Sequence, residues 1–501
     1  MLRYNTSLIE IKLGYHKIKS LAKKCLINKN YKLFLKYLDR CVTLASQINW
    51  RYCDEELEEM LFSYAQSIVY NRIENTDYQP DPDRWVFYDD YCTSYVLALQ
   101  WMTALTKLNK RILYITSQHS SEKRKDISIL PVIAQMPNVT VEIVPDGDQI
   151  KRANILYQLI IRFHASKLFL HKAMYSLVNT PLCILPDRIQ IYNINLGDQF
   201  FWLGGKWIDF NIEFRPFGAS LSLQKRRLTK DQLLMIPFYP ANENRPFQGF
   251  PTICNNHIVI FSGGDYYKTI DRKHTYWDLI STLLKNHQNV VFLFATKRGK
   301  NCNKQIESFI QKNQLDGRFC YINYRQDIFQ VFAHCDIYMG TTPVSGSLMS
   351  QLAAINRKPI LQYYPRGTQD DETEQALCIN SSFQISFSNK RDLIKEADRL
   401  ITDIEYRSRQ GNRIAESMIS ELQFNELVQD TVLTNTCQRT YSISHINNRR
   451  IVKRWLYQCN HQNSNIGNFI YSIIGAKNCA LFIPSLFLKK NISRVINRIM
   501  G

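Results

Sequence analysis

The sequence predicts an α/β protein with two doubly wound parallel sheets, and three observations support this class. Short apolar runs alternate with amphipathic stretches of helical length between about residues 84 and 430. The alternation stops once, at the proline-rich residues 236–251, and then resumes. The residues outside this range form a helical N-terminal extension and a basic C-terminal tail. Strands that alternate with helices form parallel sheets with right-handed crossovers, so the interruption predicts a boundary between two such sheets.

The predicted elements follow the chain in two series. In the first half, apolar strands are expected at residues 84–88, 111–115, 139–144, 167–170, 181–185 and 189–194, with helices at 93–107 and 149–162. In the second half, strands are expected at 258–261, 290–294, 319–322, 336–339 and 360–363, with helices at 274–285, 304–311, 348–354, 389–402 and 404–422. The resulting divisions are a helical extension at 1–75, a Rossmann-like domain at 76–245, a second Rossmann-like domain at 246–430 and a tail at 431–501.

The composition is that of a globular protein with reduced thiols. The 501 residues are enough for two or three domains, and 45% are hydrophobic while 21% are charged. The 13 cysteines are odd in number and form no CxxC pair. This pattern favours a cytoplasmic protein over a disulfide framework or a zinc site. No secretory signal is expected, because Lys and Glu interrupt residues 1–24.

The net charge of +19 is concentrated at the two ends of the chain. Residues 1–40 hold ten Lys and Arg against Glu10 and Asp39, and residues 439–501 hold ten Lys and Arg with no acidic residue. A nucleic-acid enzyme would more often spread its basic residues through the core domains, so no nucleic-acid partner is expected. Basic residues beside the apolar stretch 469–488 suit the anionic inner face of a cell membrane. A solvated tail or a helix packed on the body are the alternatives.

The stretch from 328 to 359 predicts a candidate anion site. It reads as helix, strand, a loop of small residues from Gly340 to Ser347, and a second helix. Ser345, Gly346 and Ser347 precede that helix directly, where free amides and the helix dipole favour phosphate. An ordinary turn between strand and helix also needs Gly and Ser, so the loop alone leaves both interpretations open.

Three further strand ends supply residues for the same anion. Gly263 and Gly264 follow the strand at 258–261, with Lys268 four residues on. Arg298 follows the next strand, and Arg325 follows the one after it. Because parallel strands end at one edge of a sheet, these residues predict a shared anionic ligand. Surface solvation is the alternative for each cation, and the pattern is not a Walker A loop, since Gly-Lys-Ser/Thr is missing.

Two carboxylates in the first half are candidates for a general base. Asp198 follows a glycine and precedes the aromatic residues 200–202, whose apolar surroundings would raise its pKa. Asp90, after the first strand, is the competing candidate, whereas Glu213 is expected to pair with Arg215. The alternative for Asp198 is a turn or helix cap beside packed aromatics.

No metal site is predicted. Two Asp-x-Asp pairs, at 81–83 and 146–148, lie in turn-rich sequence where aspartate is expected anyway, and the ten histidines are dispersed.

Four segments resemble a bacterial glycosyltransferase of the GT-B fold, over about residues 84–430. They are residues 195–204 (NLGDQFFWLG), 212–215 (IEFR), 236–240 (IPFYP) and the run from Arg325 through 343–347 (PVSGS) to Pro359. Two departures are present. Gln351 stands near the first Glu of the Glu-x7-Glu pattern of retaining members, which favours inversion. Leu196 stands where related sequences often have histidine, which leaves acceptor activation open.

The resemblance implies that the second domain binds a nucleotide-sugar and the first binds the acceptor. Ser345, Gly346 and Ser347 would then face the diphosphate, with Lys268 or Arg298 neutralising it. The implied reaction is inverting, metal-independent transfer to a glycan, lipid-linked or protein acceptor, as in polysaccharide assembly, with the nucleotide-sugar as substrate and no cofactor. A nucleotide-sugar epimerase of the same fold and a non-catalytic sugar- or nucleotide-binding protein remain as alternatives.

Overall fold

A computed structural model describes residues 5–90, 95–117, 129–171, 177–239, 245–271, 273–296, 300–364, 372–377, 384–437, 441–461 and 466–499. The chain separates into two compact units. Unit 1 contains the chain up to Ile236 and from Leu427 onward, and unit 2 is Pro237–Glu426. Each unit contains one parallel sheet flanked by helices, so the predicted α/β class with two doubly wound sheets is confirmed.

The sheet of unit 1 has seven parallel strands in the order β3-β2-β1-β4-β5-β6-β7. They are β1 (Asp81–Asp89), β2 (Arg111–Ser117), β3 (Val139–Val144), β4 (Ala165–His171), β5 (Gln190–Ile194), β6 (Phe210–Glu213) and β7 (Leu233–Met235). The order reverses between β1 and β4. In a doubly wound sheet, this reversal opens a crevice at the carboxyl ends of the two strands.

The sheet of unit 2 has six parallel strands in the order β10-β9-β8-β11-β12-β13. They are β8 (Ile258–Gly263), β9 (Val290–Ala295), β10 (Phe319–Ile322), β11 (Ile337–Met339), β12 (Ile360–Tyr363) and β13 (Ser386–Phe387). Here the order reverses between β8 and β11, so the crevice of this sheet lies at the ends of those two strands.

The helices are named in chain order. They are α1 (Leu8–Ile27), α2 (Tyr31–Ile48), α3 (Glu55–Ile68), α4 (Tyr95–Thr106), α5 (Leu130–Ala134), α6 (Gln149–Arg162), α7 (Pro216–Lys225), α8 (Thr275–Asn286), α9 (Lys300–Asn313), α10 (Ile328–His334), α11 (Ser347–Ile355), α12 (Glu372–Leu377), α13 (Lys390–Thr402), α14 (Ile404–Ser417), α15 (Glu421–Thr434), α16 (Asn448–His461), α17 (Ile466–Phe482) and α18 (Pro484–Ile499). The first three and the last three belong to unit 1.

The structure groups the two ends of the chain differently from the sequence-based division. The predicted extension and the predicted tail share one hydrophobic core with the sheet of unit 1, and Tyr15, Leu168 and Ile470 all belong to it. The Glu10 carboxylate joins the ends directly, since it accepts hydrogen bonds from Ser485 Oγ at 2.7 Å and from Lys489 Nζ at 3.0 Å. The tail is therefore a packed helical segment, one of the alternatives left open by its composition.

One local prediction was wrong, and one helix start is built differently from a simple cap. The apolar residues 181–185 do not form a strand, because the chain there makes a 3₁₀ turn, Leu177–Ile184, that contains Pro181. Proline has no amide to donate to a sheet. Asp327 makes no side-chain cap on α10. Its carboxylate instead accepts hydrogen bonds from the Gln248 amide and from Arg325.

The packing of α1 on α17 yields a stability prediction. A β-carbon built on Gly14 would lie 2.8 Å from Ile470 Cγ2, which is too close for an unmoved neighbour. We expect Gly14→Val to lower the free energy of unfolding by about 1–3 kcal/mol, because the two helices must separate. Urea denaturation measures the change. Ser20→Ala on the exposed side of α1 is the control, and equal stability of both variants would contradict the close packing.

Candidate functional site

The crevice of the unit 2 sheet brings together two loops that the sequence places about 80 residues apart. Gly263 ends β8, and the first loop follows it with Gly264 and Lys268. The second loop follows β11 and ends at Gly346. The backbone amide of Val344 donates a hydrogen bond to the carbonyl of Lys268 at 3.2 Å, which fixes one loop against the other.

Lys268 and Gly346 face each other in this crevice. A β-carbon built on Gly346 would lie 3.8 Å from Nζ of Lys268, and Gly346 is the residue before α11. Within the described chain, this ammonium makes no hydrogen bond and no ion pair. Burial lowers the pKa of Lys268 below its ordinary value of 10.5, and the charge of Asp265 opposes that shift. The site therefore holds a partly desolvated cation without a bonded counter-charge.

The start of α11 adds to this positive field. No side chain caps the helix, because its N-cap residue is a glycine, and Ser345, Gly346 and Ser347 are all partly exposed. The first amides of a helix lack intrahelical acceptors and carry the positive end of its dipole. The ammonium and the helix N-terminus are both positive and repel each other. An anion bound between them would offset that repulsion. The geometry suits a phosphate or a diphosphate.

Glycines allow the close approach at this site. Gly264 has φ +137°, a conformation that side chains disfavour. A β-carbon on Gly263 would lie 3.1 Å from Met349 Cε and 3.2 Å from the carbonyl oxygen of Ala295. A larger residue would push the end of β8 away from the first turn of α11. The predicted residues Gly263, Gly264, Lys268, Ser345, Gly346 and Ser347 are thus brought together.

The two predicted arginines do not join this group. Arg325 bonds to Asp327 through Nε at 2.7 Å and Nη2 at 2.6 Å, and its Nη1 donates to the carbonyl of Gly249 at 2.8 Å. Its guanidinium therefore links Gly249 to Asp327 at the start of α10. Arg325 was expected to bind the diphosphate, and these internal bonds correct that expectation. Arg298 lies outside the described residues.

The crevice of the unit 1 sheet holds a second polar group. Asp89 and His171 end β1 and β4 in register with each other. Nδ1 of His171 lies 2.8 Å from Oδ1 of Asp89, and Tyr114 donates to the other oxygen at 2.5 Å. Ser117 Oγ donates to Asp90 at 3.0 Å, and Asp90 is only partly buried. A carboxylate bonded to one ring nitrogen of a histidine orients the ring and fixes which nitrogen faces away from it.

His171 is a candidate that the sequence-based reasoning missed. The available signal was its position, since it directly follows the apolar residues 168–170 and so ends a strand, as Asp89 and Asp90 do. Its partner Asp89 is 82 residues away in the sequence, and only the pairing of β1 with β4 reveals the contact.

Asp198 occupies a different environment from the expected one. It is buried, and Arg215 binds both of its oxygens, through Nε at 2.5 Å and Nη2 at 2.9 Å. Glu213 was expected to take this arginine, but its carboxylate accepts hydrogen bonds from Asn195, Asn211 and Ser222. Burial raises the pKa of Glu213. The ion pair between Asp198 and Arg215 therefore anchors the loop after β5.

Both Asp-x-Asp pairs have local structural roles. Asp81 and Asp83 pair with Arg111 and Lys110, and Asp148 caps α6. Within the part of the chain that the structure describes, no group of three His, Cys, Asp or Glu side chains is arranged to hold a metal ion.

Comparison with solved structures defines the class of fold. Anabaena HepE, solved with UDP and glucose, matches over 70% of this chain and 99% of its own, with a TM-score of 0.51 and 11% identity. The O-GlcNAc transferase of Thermobaculum terrenum matches over 90% of this chain and 84% of its own, with a TM-score of 0.50 and 10% identity. A glycosyltransferase from Rickettsia africae gives 0.50 and 10%, over 74% of this chain and 98% of its own.

The chain therefore has the GT-B fold of two Rossmann-like domains, as the sequence resemblance predicted. No protein-family model matches the sequence, and no curated protein matches it significantly.

The ion pair of Asp198 generates a prediction that separates anchoring from catalysis. Asp198→Asn leaves Arg215 buried beside a neutral amide, so we expect the free energy of unfolding to fall by about 3–5 kcal/mol. Urea denaturation measures this loss. Glu59→Gln, which removes the exposed partner of Lys206, should change stability by less than about 1 kcal/mol. A variant of unchanged stability that lost turnover would restore Asp198 as the general base.

Proposed function

We propose that the protein is a glycosyltransferase that moves a sugar from a nucleoside-diphosphate sugar to a hydroxyl acceptor. The observation that carries the proposal is the Lys268 ammonium, which faces Gly346 at the start of α11 and has no bonded counter-charge in the described chain. The solved structures with the same fold support a nucleotide ligand, since Anabaena HepE was solved with UDP and glucose and with UDP.

The proposed donor site explains why the diphosphate is a good leaving group. When the bond between the sugar and the diphosphate breaks, negative charge grows on the diphosphate oxygens. Lys268 and the first amides of α11 are fixed before the reaction and need no reorganisation to meet that charge. In this proposal they provide the neutralisation, without a metal ion.

The acceptor is proposed to be activated at the crevice of the unit 1 sheet. In a single displacement, the acceptor oxygen attacks the anomeric carbon as the diphosphate leaves from the opposite face, and the configuration inverts. The acceptor proton must pass to a base. His171, oriented by Asp89, is the base we propose. Its side chain is fully buried, so this role requires the bound acceptor to expose the ring. Asp90, which is partly exposed at the same strand ends, is the second candidate.

An epimerase would use the same donor site but would need no acceptor. A panel of nucleotide-sugars, screened by thermal stabilisation and then by product analysis, separates the two activities. Transfer to an added glycan or lipid-linked acceptor supports the proposal. Conversion of the nucleotide-sugar to its epimer, with no acceptor present, would replace it with the epimerase assignment. Binding without either reaction would leave a sugar- or nucleotide-binding protein.

The role of Lys268 gives a prediction about affinity. We expect Lys268→Met to weaken UDP binding by on the order of ten- to a hundredfold, which is the loss of one charged contact. Isothermal titration measures it, and Lys395→Met, at an exposed lysine of α13, is the control. Because burial lowers the Lys268 pKa, the wild-type affinity should fall as the pH rises toward 10.5, and Lys268→Arg should remove that fall. Unchanged affinity in Lys268→Met would contradict the site.

The role of His171 gives a prediction about turnover. We expect His171→Gln to lower kcat about a hundredfold or more, which is the contribution of a general base, with little change in KM. Asp89→Asn should act in the same direction, and His445→Gln, at an exposed histidine of unit 1, should have no effect. UDP affinity serves as the check on folding. A kcat within a few-fold of wild type, with UDP binding intact, would pass the role to Asp90.

A further inference from the structure

An exposed apolar surface lies where α17 meets α18. Leu481, Phe482, Leu488 and Ile492 keep 64%, 47%, 58% and 56% of their surfaces exposed. Pro484 is also exposed, and it precedes Leu488 and Ile492 at intervals of four residues, which is the spacing of one helix face. We call these five residues the corner surface. Exposed apolar residues grouped in this way mark an interaction site more often than scattered ones do.

Positive charge surrounds the corner surface. Nζ of Lys17 lies 3.8 Å from the centre of the Phe482 ring, and exposed Lys477 precedes Leu481 by one helical turn. The nearby Glu10 is buried and is bonded to Lys489 and Ser485, so its charge is already compensated. The sequence from 439 to 501 contains no acidic residue. The surface thus combines exposed apolar groups with cations, and the chain segment that forms it carries no acidic residue.

One side of α17 and α18 packs on the core of unit 1. Among the described residues, no single helix is long and apolar enough to cross a bilayer, and only the pair Ile466–Phe482 and Pro484–Ile492, bent by 113°, meets that test together. The packed side of this pair is already used, because Ile470, Ile483 and Leu486 are fully buried in the core of unit 1. Spanning a bilayer would require those residues to leave the core.

We propose that the corner surface docks on the surface of an anionic lipid bilayer. Leu481, Phe482, Leu488 and Ile492 would enter the interface, while Lys17 and Lys477 would lie among the anionic headgroups. Cations near such a membrane are attracted by its negative surface potential. A second copy of the chain would present the same positive charge and repel. A nucleic acid would satisfy the lysines but would leave the apolar side chains without a partner. The inference does not depend on the donor site in unit 2.

Vesicle binding by the full chain tests the proposal without nucleotide. Cosedimentation compares vesicles of phosphatidylcholine alone with vesicles of equal parts phosphatidylcholine and phosphatidylglycerol. We expect binding to the anionic vesicles to be at least tenfold tighter and to weaken as salt is raised. The double variant Leu488→Gln/Ile492→Gln should bind at least tenfold less tightly than wild type. Lys477→Glu should weaken binding to anionic vesicles several-fold.

Matched controls come from exposed residues elsewhere. The double variant Ile404→Gln/Leu422→Gln removes two apolar side chains that are 70% and 63% exposed in unit 2, and Lys230→Glu reverses an exposed charge in unit 1. Both should bind as wild type does. Circular dichroism melting confirms folding, and Phe482→Gln replaces the double variant if that variant melts early.

Several results would overturn the docking surface. Equal binding to neutral and anionic vesicles would show that charge does not drive the binding. If the control variants lose as much affinity as the variants of the corner surface, this surface is not the binding site. Tighter binding to double-stranded DNA than to anionic vesicles, unaffected by the Leu488 and Ile492 substitutions, would reassign the surface to nucleic acid. If vesicle binding fails while UDP binding is intact, the membrane surface is wrong and the donor site is unaffected. If UDP binding fails while vesicle binding is intact, the donor site is wrong and the membrane surface is unaffected.

Discussion

The central constraint in unit 2 is a lysine ammonium held beside the positive end of a helix. Lys268 and the start of α11 both favour negative charge, and the described chain bonds no carboxylate to the ammonium. Two positive features that are fixed together cost free energy in the empty protein, and an anion recovers that cost on binding. The glycines at 263, 264 and 346 keep the approach open, since a side chain at 263 would meet α11. Preorganisation for an anion therefore follows from the backbone itself.

The crevice of unit 1 is organised by the opposite principle, since its charged groups are already satisfied inside the protein. Asp198 is bonded to Arg215, Glu213 to two asparagines and a serine, and Asp89 to His171 and Tyr114. These carboxylates already accept hydrogen bonds inside the protein, so they differ from a base that meets the acceptor, but Asp89 can orient such a base beside it. This difference explains why we assign the proton transfer to a histidine and why Asp89 is a positioning residue in that assignment.

The sequence was sufficient for the class of fold and for the position of the crevice in unit 2, because both depend on local patterns. Apolar runs at β8 and β11, each followed by small residues, locate the two strand ends, and the doubly wound class brings them together. The partners of charged side chains were less predictable. Asp198 and Arg215 are 17 residues apart, Asp89 and His171 are 82 apart, and periodicity carries no information on which carboxylate meets which base. Strands β6 and β7 were also missed, and β6 shows no apolar run because it contains Asn211 and Glu213.

Positive charge serves two distinct purposes in this chain, and burial distinguishes them. Lys268 provides one partly desolvated charge, which interacts strongly at short range. Such a charge favours an anion whose shape places its oxygens close to the ammonium. The charge at the chain ends is spread over many lysines and arginines, and those that are exposed interact weakly one by one but add over a charged plane. The sharing of one core by α1, α17 and the unit 1 sheet fixes this diffuse charge to the unit that would hold the acceptor. An enzyme whose acceptor is anchored in lipid would gain from that connection, because docking would bring the crevice of unit 1 to the surface where the acceptor is concentrated.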